Sequence, residues 1–195
     1  ILSWIISPII ALLLSLVLFG IFSRIFGRIK SIETLERLLI ILTLATGSYI
    51  AFGIGAKDVA NAVGVLYGAN LIHLPVLPNY VWLGLFGSLA IAVGGITFSY
   101  RVVETIGRKI SQLGPLTGVV SQFAAGITIY FFARLGMPIS TSQAVVGAVI
   151  GVGLAKHALV LERRFLINMI FAWILTPCLP CILSFILAKI FNYVI

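Results

Sequence analysis

Apolar residues in this chain do not alternate with polar ones. They come in long unbroken runs, at Ile1–Ser23, Leu35–Ala56, Val81–Tyr100, Leu116–Phe132, Ile139–Leu154 and Phe165–Tyr193, with the charges gathered between them. A hydrocarbon core about 30 Å thick is crossed by roughly 20 apolar residues of helix. A transmembrane barrel would instead show short segments of alternating polarity. The pattern therefore predicts an all-α integral membrane protein, multi-pass in the cell membrane, with about four transmembrane helices. The stretch 115–155 is different, because Arg134-Leu135-Gly136-Met137-Pro138 divides it. Either it is a re-entrant helical hairpin or it makes two further spans, and hydropathy does not choose between them. The small, hydroxylated tip favours the hairpin, since non-helical backbone at membrane depth is tolerated only when buried in protein or lining a cavity. Residues 1–195 are read as a single membrane domain.

Composition sharpens this. The chain is 61% hydrophobic and 9% charged, with a mean hydropathy of +1.21, which excludes a soluble domain. Its net charge of +8 resides mainly in the segments 24–37, 101–113 and 156–164, so it speaks to orientation and not to nucleic acid. An even number of crossings in 115–155 puts all three on one face, the cytoplasmic one. The uncharged loop 65–80, with His73 read as a solvated loop histidine, falls on the other. Ser31, with Glu33 and Glu36 after it, is an expected helix start. Ile1–Ser23 is too long and too lightly flanked for a secretory signal peptide, and is expected to be a lipid-facing packing helix. The chain opens directly on this apolar run, as a fragment or half of a longer protein would. Gly84, Ser88 and Ala92 form a stripe suited to close helix contact. Thr43, Thr46, Ser48 and Tyr49 are expected to face other helices. Cys178 and Cys181 have the spacing of a redox or metal pair, but within an apolar, proline-containing helix they read as packing.

The chemistry is concentrated where the second apolar run ends, at Gly53-Ile54-Gly55-Ala56-Lys57-Asp58-Val59-Ala60-Asn61. Either this is a helix end in interfacial water, or a broken helix over 35–64 whose open N–H and C=O groups serve an ion or anion site. Asp58 offers a carboxylate and Asn61 an amide oxygen three positions on, so both are expected to point into one cavity. Hard oxygen donors suit Na⁺, and Asp58 alone can carry H⁺. In the second half, Ser140, Thr141 and Ser142 bring three hydroxyls to an expected helix N-terminus, where partial positive charge and unpaired donors suit a tetrahedral oxyanion. Capping would occupy one hydroxyl and leave two. Arg134 either lies deep and pairs with that anion or is an ordinary interfacial arginine.

These residues carry a resemblance. Gly55-Ala56-Lys57-Asp58-Val59-Ala60-Asn61-Ala62 resembles the first signature of the inorganic phosphate transporter (PiT) family, Gly-Ala-Asn-Asp, two variable residues, Asn-Ala. Gly136-Met137-Pro138-Ile139-Ser140-Thr141-Ser142-Gln143, running on to Gly147 and Gly153, is similar to the second, Leu-Pro-Val-Ser-Thr-Thr-His followed by Val-Gly-Ala. The resemblance extends over about residues 36–164. It implies a secondary transporter of inorganic phosphate built from two inverted repeats with re-entrant hairpins meeting at a central site. This chain would supply one repeat, more like the C-terminal copy, and would need a second repeat and a coupling ion, Na⁺ or H⁺, with a homodimer as a further possible assembly. No other cofactor is implied. Sulfate is the rival substrate within the family, and a non-transporting scaffold or degenerate half is the alternative class. An intramembrane enzyme finds no support, because there is no Ser–His or paired-Asp constellation and no nucleotide loop. Two residues depart from the signatures. Gln143 stands where His is common, and Lys57 stands in place of Asn; with Asp58 and Asn61 they are the ion-coupling candidates. The Lys57 ammonium can stand in for a bound Na⁺, point at the anion, or snorkel to the interface.

Overall fold

The computed structural model describes residues 2–69, 78–110, 114–137, 139–157 and 163–194. Those residues form seven α-helices: α1 (Leu2–Phe26), α2 (Ile32–Ile54), α3 (Ala60–Gly68), α4 (Asn79–Lys109), α5 (Pro115–Arg134), α6 (Thr141–Ala155) and α7 (Arg163–Val194). Five stretches are long and apolar enough to cross a membrane: α1, the run 32–68 taken as one, α4, α5 and α7. The all-helical, multi-pass reading therefore holds. The chain divides into two compact units, Ile1–Leu159 and Val160–Ile195, where the sequence suggests one domain. The second unit is α7, which carries Pro177 and Pro180 within its length and exposes both cysteines as free thiols.

Several helices outrun their expected ends. α4 continues through Arg101 to Lys109, because that stretch holds no proline, its single Gly107 is tolerated within a helix, and charge alone does not end one. Similarly, Val65–Gly68 belongs to α3 and not to the expected loop. The loop around His73, and Pro138 at the hairpin tip, lie outside the described residues. Ser31 caps α2 as expected, accepting from the Thr34 N–H, with Glu33 in the first turn and paired to Arg37 at 2.6 Å.

In the first unit α1 is more than a lipid-facing helix. Ser3, Ser7, Ala11 and Ser15 recur every four residues and are all buried, so one face of α1 packs on protein. The partner is α6. A Cβ on Gly147 would strike the main chain at Pro8, and one on Gly151 would strike Leu12 and the Ser15 hydroxyl. Helices approach this closely only through small residues. Ala124, Ala125 and Ile129 of α5 and Ala144 and Ala148 of α6 close the core against Ala11. The stripe expected on α4 is not the contact face: Gly84 has nothing within 4 Å, whereas a Cβ on Gly87 would meet Val63 at 2.8 Å and Val59 at 3.1 Å.

The contacts fix the helix directions. Pro8 and Leu12 meet Gly147 and Gly151 in the same order, so α1 and α6 run parallel. Thr46 meets Gln122 at 2.8 Å, Tyr49 and Ile50 meet Gly126, and Gly53 meets Ile129, so α2 and α5 run parallel too. Phe26, Leu39 and Val119 cluster where α1 ends and where α2 and α5 begin. Arg24, Arg28, Lys30 and Arg37 thus sit at one end of the unit, as the positive-inside rule requires of one face.

Candidate functional site

The 32–68 helix does not open where the sequence suggests a break. Gly55–Val59 forms one π-helical turn between α2 and α3, and the Gly55 N–H still finds the carbonyls of Ala51 and Phe52. The physical reason is that a π turn absorbs one extra residue without freeing main-chain groups to any distance; such turns occur mainly as single insertions within α-helices, often at functional sites. The wider turn also spoils three-residue spacing as a guide to direction. Lys57 and Asn61 line a common cavity, while the Asp58 carboxylate accepts from the Thr141 hydroxyl, Oγ1 to Oδ2 3.4 Å. Asp58 and Asn61 therefore do not share one cavity in the way their spacing suggests.

Opposite the π turn is the tip of the α5–α6 hairpin. α5 opens on Gly114 and Pro115, with Pro in the first turn, where its missing N–H costs nothing. It closes at Arg134 and Leu135, and Gly136, with φ +66°, makes the left-handed step that turns the chain. α6 then starts at Thr141. Ser140 is its N-cap, its hydroxyl accepting from the Gln143 N–H, and Ser140 and Ser142 hydroxyls lie 2.9 Å apart. All three hydroxyls thus have protein partners: one caps, one pairs with the cap, and one reaches Asp58. Because a hydroxyl has one donor and two acceptor positions, the Ser140–Ser142 pair still holds one proton that it does not need for itself.

Two contacts dock this tip on the π turn. Besides Thr141–Asp58, the Lys57 ammonium donates to the Ile139 carbonyl and lies 3.8 Å from Asp58 Oδ1. Lys57 does not snorkel: its side chain is 15% exposed, against 32% for Asp58. Gln143 is buried, and its Oε1 has no hydrogen-bond partner among the described residues.

Beside the docked tip is a cavity of about 460 Å³, lined among others by Tyr49, Lys57, Asn61, Tyr130, Arg134 and Gly136. Arg134 is exposed. Its Nε donates to the Tyr130 hydroxyl at 2.8 Å, and its guanidinium lies 5.1 Å from the centre of that ring. Tyr49 approaches Tyr130 with ring centres 6.1 Å apart. So the structure brings Lys57 and Asp58 onto Ile139 and Thr141, leaves the Ser140–Ser142 pair on the flanking residues of the tip, puts Asn61 and Arg134 on the adjoining cavity, and buries Gln143. Sequence reasoning missed Tyr130 and the Ile139 carbonyl. Tyr130 had a signal, four residues before Arg134 on one helix face; a main-chain carbonyl has none. Of the hydroxyl residues on α2, Thr46 is buried as expected but Ser48 is exposed.

Comparison with known proteins agrees with the geometry. The phosphate transporter family is matched over residues 28–184. A Methanocaldococcus jannaschii protein named as a putative phosphate permease is 30% identical over 188 residues, covering 96% of this chain and 58% of its own length. The zebrafish (Danio rerio) sodium-dependent phosphate transporter 1-B is 31% identical, covering 84% of this chain and 25% of its own length. A solved structure titled as the sodium-dependent phosphate transporter superposes with a TM-score of 0.70 at 23% identity, over 89% of this chain and 61% of the other. At that identity the superposition speaks for the fold. The chain thus spans little more than half of its archaeal relative and a quarter of its zebrafish one. With a helical hairpin docked on a charged π turn and the family's sequence pattern along more than half its length, this chain belongs to the phosphate transporter family.

Proposed function

We propose that this chain carries part of the pathway for secondary active transport of inorganic phosphate across the membrane, coupled to a cation. The observation that carries this reading is the docking of the α6 N-terminus, with Thr141 on Asp58 and Lys57 on Ile139, beside a cavity that Asn61 and Arg134 line. A helix N-terminus with spare hydroxyl donors suits a phosphate oxyanion. Oxygen donors on the facing helix, the Asn61 amide in the cavity and the Asp58 carboxylate at the tip, each suit a coupling cation, Na⁺ or H⁺. Na⁺ is the first choice, since the zebrafish relative is named as sodium-dependent.

In this reading the hairpin is re-entrant. Its tip meets Asp58, ten residues before the 32–68 helix ends at Gly68, which leaves it about 15 Å short at 1.5 Å per residue. The 15 residues of α6 also fall short of the roughly 20 that a hydrocarbon core takes. Alternating access then needs a second, inverted repeat against which this one rocks.

The test is uptake of labelled phosphate by proteoliposomes, with Na⁺ and H⁺ gradients imposed separately and sulfate in excess as competitor. Phosphate should accumulate with one cation gradient and resist sulfate. Uptake no faster than into protein-free vesicles would overturn transport, and preferential loss to sulfate would reassign the substrate.

A further inference from the structure

Lys57 places an ammonium among oxygens. It donates to the Ile139 carbonyl and lies 3.8 Å from the Asp58 carboxylate. Asp58 also takes the Thr141 hydroxyl, and in the same first turn of α6 the buried Gln143 Oε1 is left without a partner among the described residues. A carboxylate, a main-chain carbonyl and an uncommitted amide oxygen are hard donors, the kind that gather around alkali and alkaline-earth cations. They come from two elements, the π turn and the hairpin tip. The Lys57 ammonium meets the carboxylate and the carbonyl with the same single charge as Na⁺ and with three N–H donors. Unlike Na⁺, it cannot leave.

Charge balance gives the same answer. Lys57 and Asp58 sum to zero in a largely apolar surrounding. Take the ammonium away and a carboxylate remains at depth, which is costly unless a proton or a cation joins it.

We propose that the Lys57 ammonium is a tethered cation, filling a monovalent-cation position between the π turn and the hairpin tip. It holds the tip on the 32–68 helix without a bound ion and takes that position out of any ion coupling. The statement about coupling rests on the transport reading above; the statement about occupancy does not.

The test counts Na⁺ on the intact protein in lipid nanodiscs, by equilibrium binding of ²²Na⁺ with choline as the replacement cation. Lys57→Asn vacates the ammonium position and adds an oxygen. It should bind roughly one Na⁺ more per chain than wild type, and its thermal unfolding should gain a Na⁺ dependence by mass action. Lys57→Arg, which keeps the charge, should match wild type. The double variant Lys57→Asn/Asp58→Asn removes both charges and should fall back to the wild-type count. Equal counts in wild type and Lys57→Asn overturn the proposal, as does a double variant that retains the extra ion. Should Lys57→Asn not survive purification, Lys57→Gln takes its place: one extra Na⁺ supports the proposal and an unchanged count overturns it. No phosphate or gradient is involved, so a failure of transport leaves this readout intact.

Discussion

The two sides of the site are built in opposite ways. On the hairpin side, 56% of the apolar stretch of α5 is buried, against 11% for the 32–68 helix facing it. The hairpin packs through glycine and alanine against α1, and between residues 115 and 155 its one formal charge is Arg134. The facing helix packs through a few points, Leu39 on Val119, Thr46 on Gln122, Tyr49 on Gly126, yet it carries Lys57 and Asp58 in its π turn. Fixed backbone donors thus belong to the rigid wall and ionised groups to the lightly packed one.

The largest expected effect tests that contrast directly. Gly147→Leu should prevent stable folding, and Gly147→Ala should cost about 1–3 kcal/mol or more through overpacking against α1. Gly64→Ala, on the facing helix with open space around it, should stay within about 1 kcal/mol and on the stabilising side, since alanine is the better helix former. Thermal unfolding of the purified variants reads both, and equal midpoints would erase the distinction between the two sides.

On the charged side, Asp58→Asn leaves the Lys57 ammonium without its carboxylate. Stranding one member of such a pair costs about 2 kcal/mol at the low end. That cost should appear as a drop in thermal midpoint comparable to that of Gly147→Ala, and, with the tip released from the 32–68 helix, phosphate uptake should fall by about tenfold or more in the folded fraction. A loss of folding with intact specific activity in the surviving fraction would make Asp58 structural.

The hydroxyls should separate by role. Thr141→Val removes the hydroxyl that donates to Asp58 and helps hold the tip in place, and should weaken apparent phosphate affinity by about tenfold, the low end for a hydrogen bond to a charged group. Ser140→Ala should appear in stability, at about 1 kcal/mol for a lost cap, more than in affinity. The smallest effect is expected from Arg134→Lys. It gives up the stacked guanidinium on Tyr130 but keeps the charge, so affinity should change by about threefold or less. If Arg134→Lys were as damaging as Thr141→Val, the arginine would be gripping the anion bidentately.

Much of this was legible in the chain. Continuous apolar runs marked the spans, Ser31 and Gly136–Ser140 marked helix boundaries, and the two signatures singled out Asp58 and Thr141, which the fold brings into contact. What was not legible has physical causes. A π turn and a helix break use the same glycines, and only the hydrogen bonds, Gly55 N–H to Ala51 and Phe52 among them, tell them apart. The protein-packed face of α1 was hidden because Ser3, Ser7, Ala11 and Ser15 count as mild interruptions in hydropathy, while their meaning depends on Gly147 and Gly151, far along the chain. Lys57 could be placed only once Ile139 was seen opposite it.

The central claim is that the hairpin tip meets phosphate. In a background free of other cysteines, with Cys178 and Cys181 replaced by alanine, single cysteines at Ser142 and, as a control outside the spans, Lys30 would be labelled with a water-soluble thiol reagent. Both positions are exposed in this chain. Saturating inorganic phosphate should slow labelling of Ser142→Cys by about tenfold, as occupancy near 90% requires, and leave Lys30→Cys unchanged. Labelling of Ser142→Cys at the same rate with and without phosphate, in protein that still transports, would contradict the account.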